Sequence, residues 1–186
     1  MTRIFTLGHS TRSAAEFVGL LSEHGITCLV DVRRFPGSRR HPHFAREALA
    51  GALRTVRIAY AHEPDLGGYR KLQGDSPNAA WRTAGFRAYA DHMDTPQFRT
   101  ALARVVERAE QSVTAIMCAE AVPWRCHRQL ISDALVARGH DVVHILAPGK
   151  IETHTLSEHA RALPNHRLVY PELPADQVGL FPENGG

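Results

Sequence analysis

Short apolar runs rich in β-branched residues alternate along this chain with longer stretches whose apolar residues recur every three or four positions. That alternation restricts the fold more than any other feature. Parallel strands cannot be joined by tight turns, so each run needs a crossover, and a helix is the compact way to make one. The runs lie at about residues 4–7, 28–32, 57–62, 113–117 and 142–146. Between them fall helical periods at 14–24, where Ser13 and Glu16 form a capping box and Gly25 suits the stop, and at 46–53. Further periods carry Phe86, Tyr89, Ala90 and Met93, then Phe98, Leu102, Val105 and Val106, then residues 125–137 ahead of Gly139. His154, Leu156, Ala160 and Leu163 suggest one more short helix. The expected fold is α/β: a single doubly wound, mainly parallel sheet of about five strands with helices on both faces.

A chain of 186 residues fits one domain with a substantial core, expected over 1–175, with a loose tail over 176–186. The 44% hydrophobic and 22% charged residues argue against disorder. No segment approaches membrane-spanning length and no basic leader precedes the first strand, so no membrane partner and a cytoplasmic location are expected. Three cysteines, Cys28, Cys118 and Cys126, are too few and too irregular for a secreted disulfide framework and read as reduced thiols. A formal charge of +3 is compatible with an anionic partner, a small molecule or nucleic acid, without identifying one.

Ligands of open parallel sheets bind beyond the carboxyl ends of the strands, where the strand order reverses. Three polar clusters fall there: His9, Ser10 and Thr11 after the first strand, Asp31 and Arg33 closing the second, and Cys118 and Glu120 closing the fourth. Asp31 and Arg33 are two apart on one strand and share a face, so they pair with each other or orient a substrate. The stretch from Arg33 to Pro42 is basic, carries turn residues and an aromatic, and suits an anionic ligand, with Arg39 among the candidate contacts. Tyr69, Arg70 and Lys71, after Gly67-Gly68, offer an opposite wall.

The most informative stretch is Met117 to Arg128, joining a strand to a helix. A strand-end Cys118 facing helix N–H groups and the guanidiniums of Arg125 and Arg128 sits where a thiolate is stabilised, so a lowered pKa is expected there. The arrangement is similar to phosphatase and sulfurtransferase loops, although six residues separate Cys118 from Arg125 and their glycines are absent. Cys126 reads as a residue packing the inner helix face. Cys118, Cys126 and His127 with His9 also invite zinc, but that region holds no Cys-x-x-Cys or His-x-x-x-His pair to support it. No cofactor is called for.

These segments resemble the domain-of-unknown-function family 488 of bacteria and archaea. The resemblance rests on Thr6 to Arg12, Asp31 to Ser38, Leu66-Gly67-Gly68, Phe86 to Met93 and Cys118 to Arg128, in family order and spanning the chain through about Tyr170-Pro171. It implies an α/β fold without a known reaction, and its motif positions fall on His9, Ser10, Asp31, Arg33, Cys118, Glu120, Cys126, His127 and Arg128. The leading functional expectation is a cysteine-dependent hydrolase or transferase. Its nucleophile is Cys118, with Glu120 or His9 as acid or base. Ser10, Thr11, Asp31, Arg33, Arg39, Tyr69, Arg125, Cys126, His127 and Arg128 would hold a nucleotide or nucleic-acid-derived anion. The alternatives are a non-catalytic nucleotide or nucleic-acid-binding module, and a metal-binding protein using Cys and His.

Overall fold

In the computed structural model, which describes residues 1–172, the strands and helices alternate as the pattern requires. In chain order they are β1 (Arg3–Gly8), α1 (Ala14–Glu23), β2 (Cys28–Asp31), α2 (Arg46–Thr55), β3 (Ala59–His62), α3 (Ala84–Met93), α4 (Pro96–Gln111), β4 (Thr114–Cys118), α5 (Arg128–Val136), β5 (Asp141–Ala147), β6 (Lys150–Thr153), β7 (Arg161–Leu163) and β8 (Arg167–Val169). The main sheet runs β3-β2-β4-β1-β5-β6, with the first five strands parallel and β6 antiparallel at the edge. Among the described residues, then, the sheet has one strand more than the expected five.

Local chemistry explains the helix boundaries. The Ser13 hydroxyl accepts from the Glu16 N–H while the Glu16 carboxylate accepts from the Ser13 N–H, closing the capping box that starts α1. The Thr83 and Thr95 hydroxyls cap α3 and α4 by accepting from the N–H groups of Phe86 and Phe98. Phe17, Leu20 and Leu21 of α1 join Leu49 and Leu53 of α2 over Leu7, Leu29 and Met117, which covers one face of the sheet. Tyr89 of α3, Phe98 and Leu102 of α4, and Leu130 and Ile131 of α5 cover the other face over Ile4, Val30 and Ile116.

The segment 154–163 is not the helix its apolar spacing suggested. Tertiary hydrogen bonds override that weak periodicity: the Asp133 carboxylate accepts from the His154 ring and from the Ser157 N–H, and β7 then pairs with β8. The expected tail over 176–186 lies outside the described residues.

The strand order fixes the place of interest. The chain moves from β1 through β2 to β3, then returns to insert β4 between β2 and β1. After β1 it turns to the face covered by α1, and after β4 to the face covered by α5. The carboxyl ends of β1 and β4 therefore flank the switch point of the sheet.

Candidate functional site

At that switch point two loops touch through their backbones. The His9 N–H donates to the Cys118 carbonyl at 3.0 Å and the Ser10 N–H to the Ala119 carbonyl at 2.9 Å. Gly8 pairs with Cys118, and a Cβ on Gly8 would collide with the carbonyl of Glu120, so only glycine lets the β4 loop pass. The backbones thus bring His9 and Cys118 together, but alternation along the strands sends their side chains to opposite faces.

On the α1/α2 face the Asp31 carboxylate, fully buried, accepts a two-pronged contact from Arg33: Nε to Oδ1 at 2.9 Å and Nη2 to Oδ2 at 2.6 Å. The Arg33 backbone N–H at 3.0 Å and the Tyr60 hydroxyl at 2.7 Å add further donors, and the Tyr60 pKa is raised by burial and by the Asp31 charge. Arg33 also donates to the Phe44 carbonyl. The His9 ring stacks on Phe44, donates from Nδ1 to the Ser10 carbonyl at 2.9 Å, and so turns the Nε2 lone pair toward Arg33 Nη1 at 3.4 Å. Burial holds this imidazole neutral, with a pKa of about 4.

The α3/α5 face carries the cysteines. Arg128, the first residue of α5, is only 1% exposed and donates from Nε to Cys118 Sγ at 3.0 Å and from its Nη atoms to Thr6 Oγ1 and to the carbonyls of Glu120 and Ala121. A guanidinium stays charged, yet among the described residues no carboxylate lies within ion-pair distance of this one. The acidic group it touches is the Cys118 thiol. Burial pushes Cys118 well above the usual thiol range, and its Sγ lies 4.0 Å from the Glu120 carbonyl oxygen. Burial also acts on Cys126, but its neighbours Cys118 and Arg128 outweigh it and bring Cys126 down to about 7. The expectation of a lowered pKa at Cys118 is therefore reversed: the lowered thiol is Cys126, read from sequence as packing, chiefly through its neighbours Cys118 and Arg128. His127, half-buried, donates from Nε2 to the Val32 carbonyl at 3.2 Å and aims Nδ1 at Cys126 Sγ, 3.6 Å away.

A buried chain of hydrogen bonds runs on from Arg128. Thr6 Oγ1 lies 2.7 Å from His144 Nδ1, His144 Nε2 lies 3.0 Å from His154 Nδ1, and His154 Nε2 lies 2.8 Å from Asp133 Oδ1. Arginine only donates and a carboxylate only accepts, so with both imidazoles neutral every bond must point from Arg128 toward Asp133. Burial, His154 and Arg128 lower the His144 pKa to about 3. The Tyr170 hydroxyl completes the shell of Asp133 at 2.9 Å. Sequence reasoning missed Thr6, Tyr60, Asp133, His144, His154 and Tyr170. The one local signal was Asp133 on the apolar stripe of α5, three residues after Leu130.

The remaining candidates stand at the rim. Thr11, Arg39, Glu120 and Arg125 are exposed and Ser10 is half-buried. The 3-10 turn Pro123–Arg125 precedes α5, and Arg128 makes the contact with sulfur that Arg125 was also expected to make. Tyr69 is 87% and Phe35 68% exposed, their rings 6.4 Å apart, with the Arg34 guanidinium 5.7 Å from the Phe35 ring. Gly67 packs on the Arg34 backbone and Gly68 on the His127 ring, which ties this rim to the thiol side. Among the described residues no group of three or more His, Cys, Asp or Glu side chains gathers in a way that could hold a metal ion. His9 lies across the sheet from the two thiols.

Fold and site together define a mainly parallel α/β protein with a buried arginine and cysteine pair at the switch point of its sheet. The family model described as Domain of unknown function DUF488 matches residues 13–135, more than half of the chain, and the chain belongs to that family. The match begins after the β1 loop, so His9 and Ser10 lie outside it. No curated protein and no solved structure matches the chain. Among the described residues no helix is long and apolar enough to cross a membrane.

Proposed function

We propose that this protein is a thiol-dependent hydrolase or transferase acting on an anionic substrate, with the Cys126 thiol at its centre. The observation that carries this reading is the buried guanidinium of Arg128, whose acidic neighbours are thiols rather than carboxylates. A buried cation without a counter-ion is costly, and a thiolate supplies the charge. His127 is the base of the pair: the Val32 carbonyl holds Nε2–H and leaves Nδ1 facing Cys126 Sγ, the order of nucleophile, base and orienting group that thiol enzymes require. His9, closed into the Arg33 cluster, is set aside as a proton carrier, and Glu120 serves Arg128 through its carbonyl. Arginines of the rim draw the anion in.

The test is alkylation by iodoacetamide across pH, read at each cysteine by mass spectrometry. Cys126 is expected to titrate near 7 and react ahead of Cys28, whose pKa burial raises. Arg128→Met removes the stabilising charge and should slow Cys126 at neutral pH about tenfold or more. If Cys126 reacts no faster than Cys28, thiol catalysis is abandoned.

A second reading is a nucleotide or nucleic-acid-binding module, favoured by the exposed Phe35 and Tyr69 rings beside Arg34, since aromatic faces stack on any base and arginines neutralise phosphates. Salt-sensitive oligonucleotide binding that survives Cys126→Ser would select it.

A further inference from the structure

Arg128 is held from two sides. Toward the loop after β4 it meets Cys118 Sγ at 3.0 Å and the carbonyls of Glu120 and Ala121, and on the other side its Nη1 donates to Thr6 Oγ1 at 3.3 Å. Thr6 is the near end of a bridge. Thr6 on β1 stands in register beside His144 on β5, His144 meets His154 just past β6, and His154 meets Asp133 on α5. All four bridge residues are buried, Thr6 and Asp133 completely. Burying so many polar groups is costly, and apolar residues of the same volume would pack this part of the sheet at least as well. Apolar residues would supply neither direction nor charge.

Direction comes from the two ends. Arg128 only donates, so Thr6 Oγ1 accepts from it and turns its single hydrogen to His144 Nδ1. Asp133 only accepts: Oδ1 takes the His154 ring N–H at 2.8 Å and the Ser157 N–H at 3.0 Å, and Oδ2 takes the Tyr170 hydroxyl at 2.9 Å. With neutral imidazoles, each group between the ends has one arrangement that satisfies both its neighbours. The bridge therefore fixes the guanidinium in one orientation.

Charge comes from the separation. Asp31 sits directly on Arg33, and the two charges quench each other. Asp133 is kept three side chains away from Arg128, near enough to offset a buried cation across a low-dielectric interior and too far to draw the guanidinium off the sulfur. We propose that Thr6, His144, His154 and Asp133 are positioning residues of the thiol centre. They fix the Arg128 guanidinium against the Cys118 sulfur through neutral groups and hold its carboxylate counter-charge at a distance, so that its field falls on the thiol side. This inference deepens the thiol-enzyme reading and rests on it.

Two measurements on the full chain test the bridge. Nitrogen NMR of the wild-type imidazoles should show His144 and His154 neutral between about pH 6 and 8, each with its proton on Nε2. A neutral ring carrying its proton on Nδ1 breaks the direction, and a protonated His154 pairs off Asp133, so either result overturns the proposal. The second measurement is iodoacetamide alkylation of Cys126 across pH, with the urea midpoint recorded for each variant. Thr6→Val keeps the shape and removes the grip on Arg128, so the alkylation midpoint should rise from about 7 and the rate at pH 7 should fall about threefold or more. Thr6→Ser should restore wild-type behaviour. Asp133→Asn keeps an acceptor for His154 and removes the distant negative charge, so the midpoint should fall and the rate at pH 7 should rise about two- to threefold. Loosened packing cannot produce that opposed pair, because it would carry both variants up toward the free-thiol value of about 8.5. Variants that keep the wild-type midpoint, or that move in the same direction, overturn the positioning role, and a wild-type midpoint near 7 in the same experiment then leaves the thiol-enzyme reading standing without it. A wild-type Cys126 that reacts no faster than Cys28 removes that reading and this role with it.

Discussion

Two buried arginines, Arg33 and Arg128, stand on opposite faces of the same sheet edge, and they are neutralised in different ways. Arg33 meets a carboxylate head-on, with Tyr60 filling the remaining acceptor site, so its cluster is closed and has no group left to react. Arg128 meets the Cys118 thiol, a hydroxyl and two carbonyls, and it reaches the buried carboxylate of Asp133 only through three intervening side chains. A carboxylate is ionised at any physiological pH, whereas a thiol must be persuaded. One arginine therefore serves structure, and the other leaves a weak acid poised near neutrality.

The largest expected effect lies on the closed side. Asp31→Asn keeps the shape but leaves Arg33 as an uncompensated buried charge, which should cost about 3 to 5 kcal/mol of stability. Arg128→Met removes a buried cation together with its desolvation penalty, so its loss should be clearly smaller. Urea denaturation of both variants at pH 7 checks the ranking. Equal losses would mean that Arg128 is as much a structural ion as Arg33, and the contrast between the faces would fail.

Acid should act on both faces. His9 and His144 have pKa values lowered to about 4 and about 3 by burial, against an ordinary value of 6.5. Between pH 6.5 and 4 the unfolded chain binds protons at these positions and the folded chain does not, so stability falls as pH falls. The upper bound is roughly 3 kcal/mol apiece by pH 4. His9→Gln and His144→Gln should each flatten the curve of urea midpoint against pH over that window. A curve that keeps its slope in both variants would show that other groups control acid unfolding.

These contrasts also mark what the sequence could disclose. The alternation of strand and helix, the capping box at Ser13 and the gathering of His9, Asp31 and Cys118 at one sheet edge were all legible, because they depend on local spacing and chain order. The division of that edge into two faces was not. Whether His9 and Cys118 share a face depends on the register that pairs Gly8 with Cys118, and a shift of one residue exchanges the faces. Arg125 and Arg128 looked equivalent until a 3-10 turn placed the first before the helix and the second at its start. The helix start expected to act on Cys118 lies two residues after Cys126 instead. His144 and His154 gave no local sign, since their partners come from other elements.

The smallest effect is expected at the rim. Tyr69 holds a left-handed backbone with φ of 59°, unusual for a bulky residue, while its ring stands almost wholly in solvent. Such a conformation costs about 1 to 2 kcal/mol in an L-residue, and glycine adopts it freely. Glycine also gains freedom in the unfolded chain, which takes back about 0.4 to 1 kcal/mol. The two terms leave Tyr69→Gly stabilising by roughly 1 kcal/mol or less, provided the exposed ring adds no packing of its own. Arg34 donates to the Tyr69 carbonyl, a contact that survives the change because it uses the backbone. A ring kept in solvent at the expense of strain is what a stacking surface for a ligand requires. Tyr69→Gly should therefore raise the urea midpoint slightly, and under the nucleic-acid-binding reading it should weaken oligonucleotide binding, with Phe35→Ser weakening it at unchanged stability. A stability loss above about 1 kcal/mol in Tyr69→Gly would show that the ring packs, and the strained backbone would then be explained by structure alone.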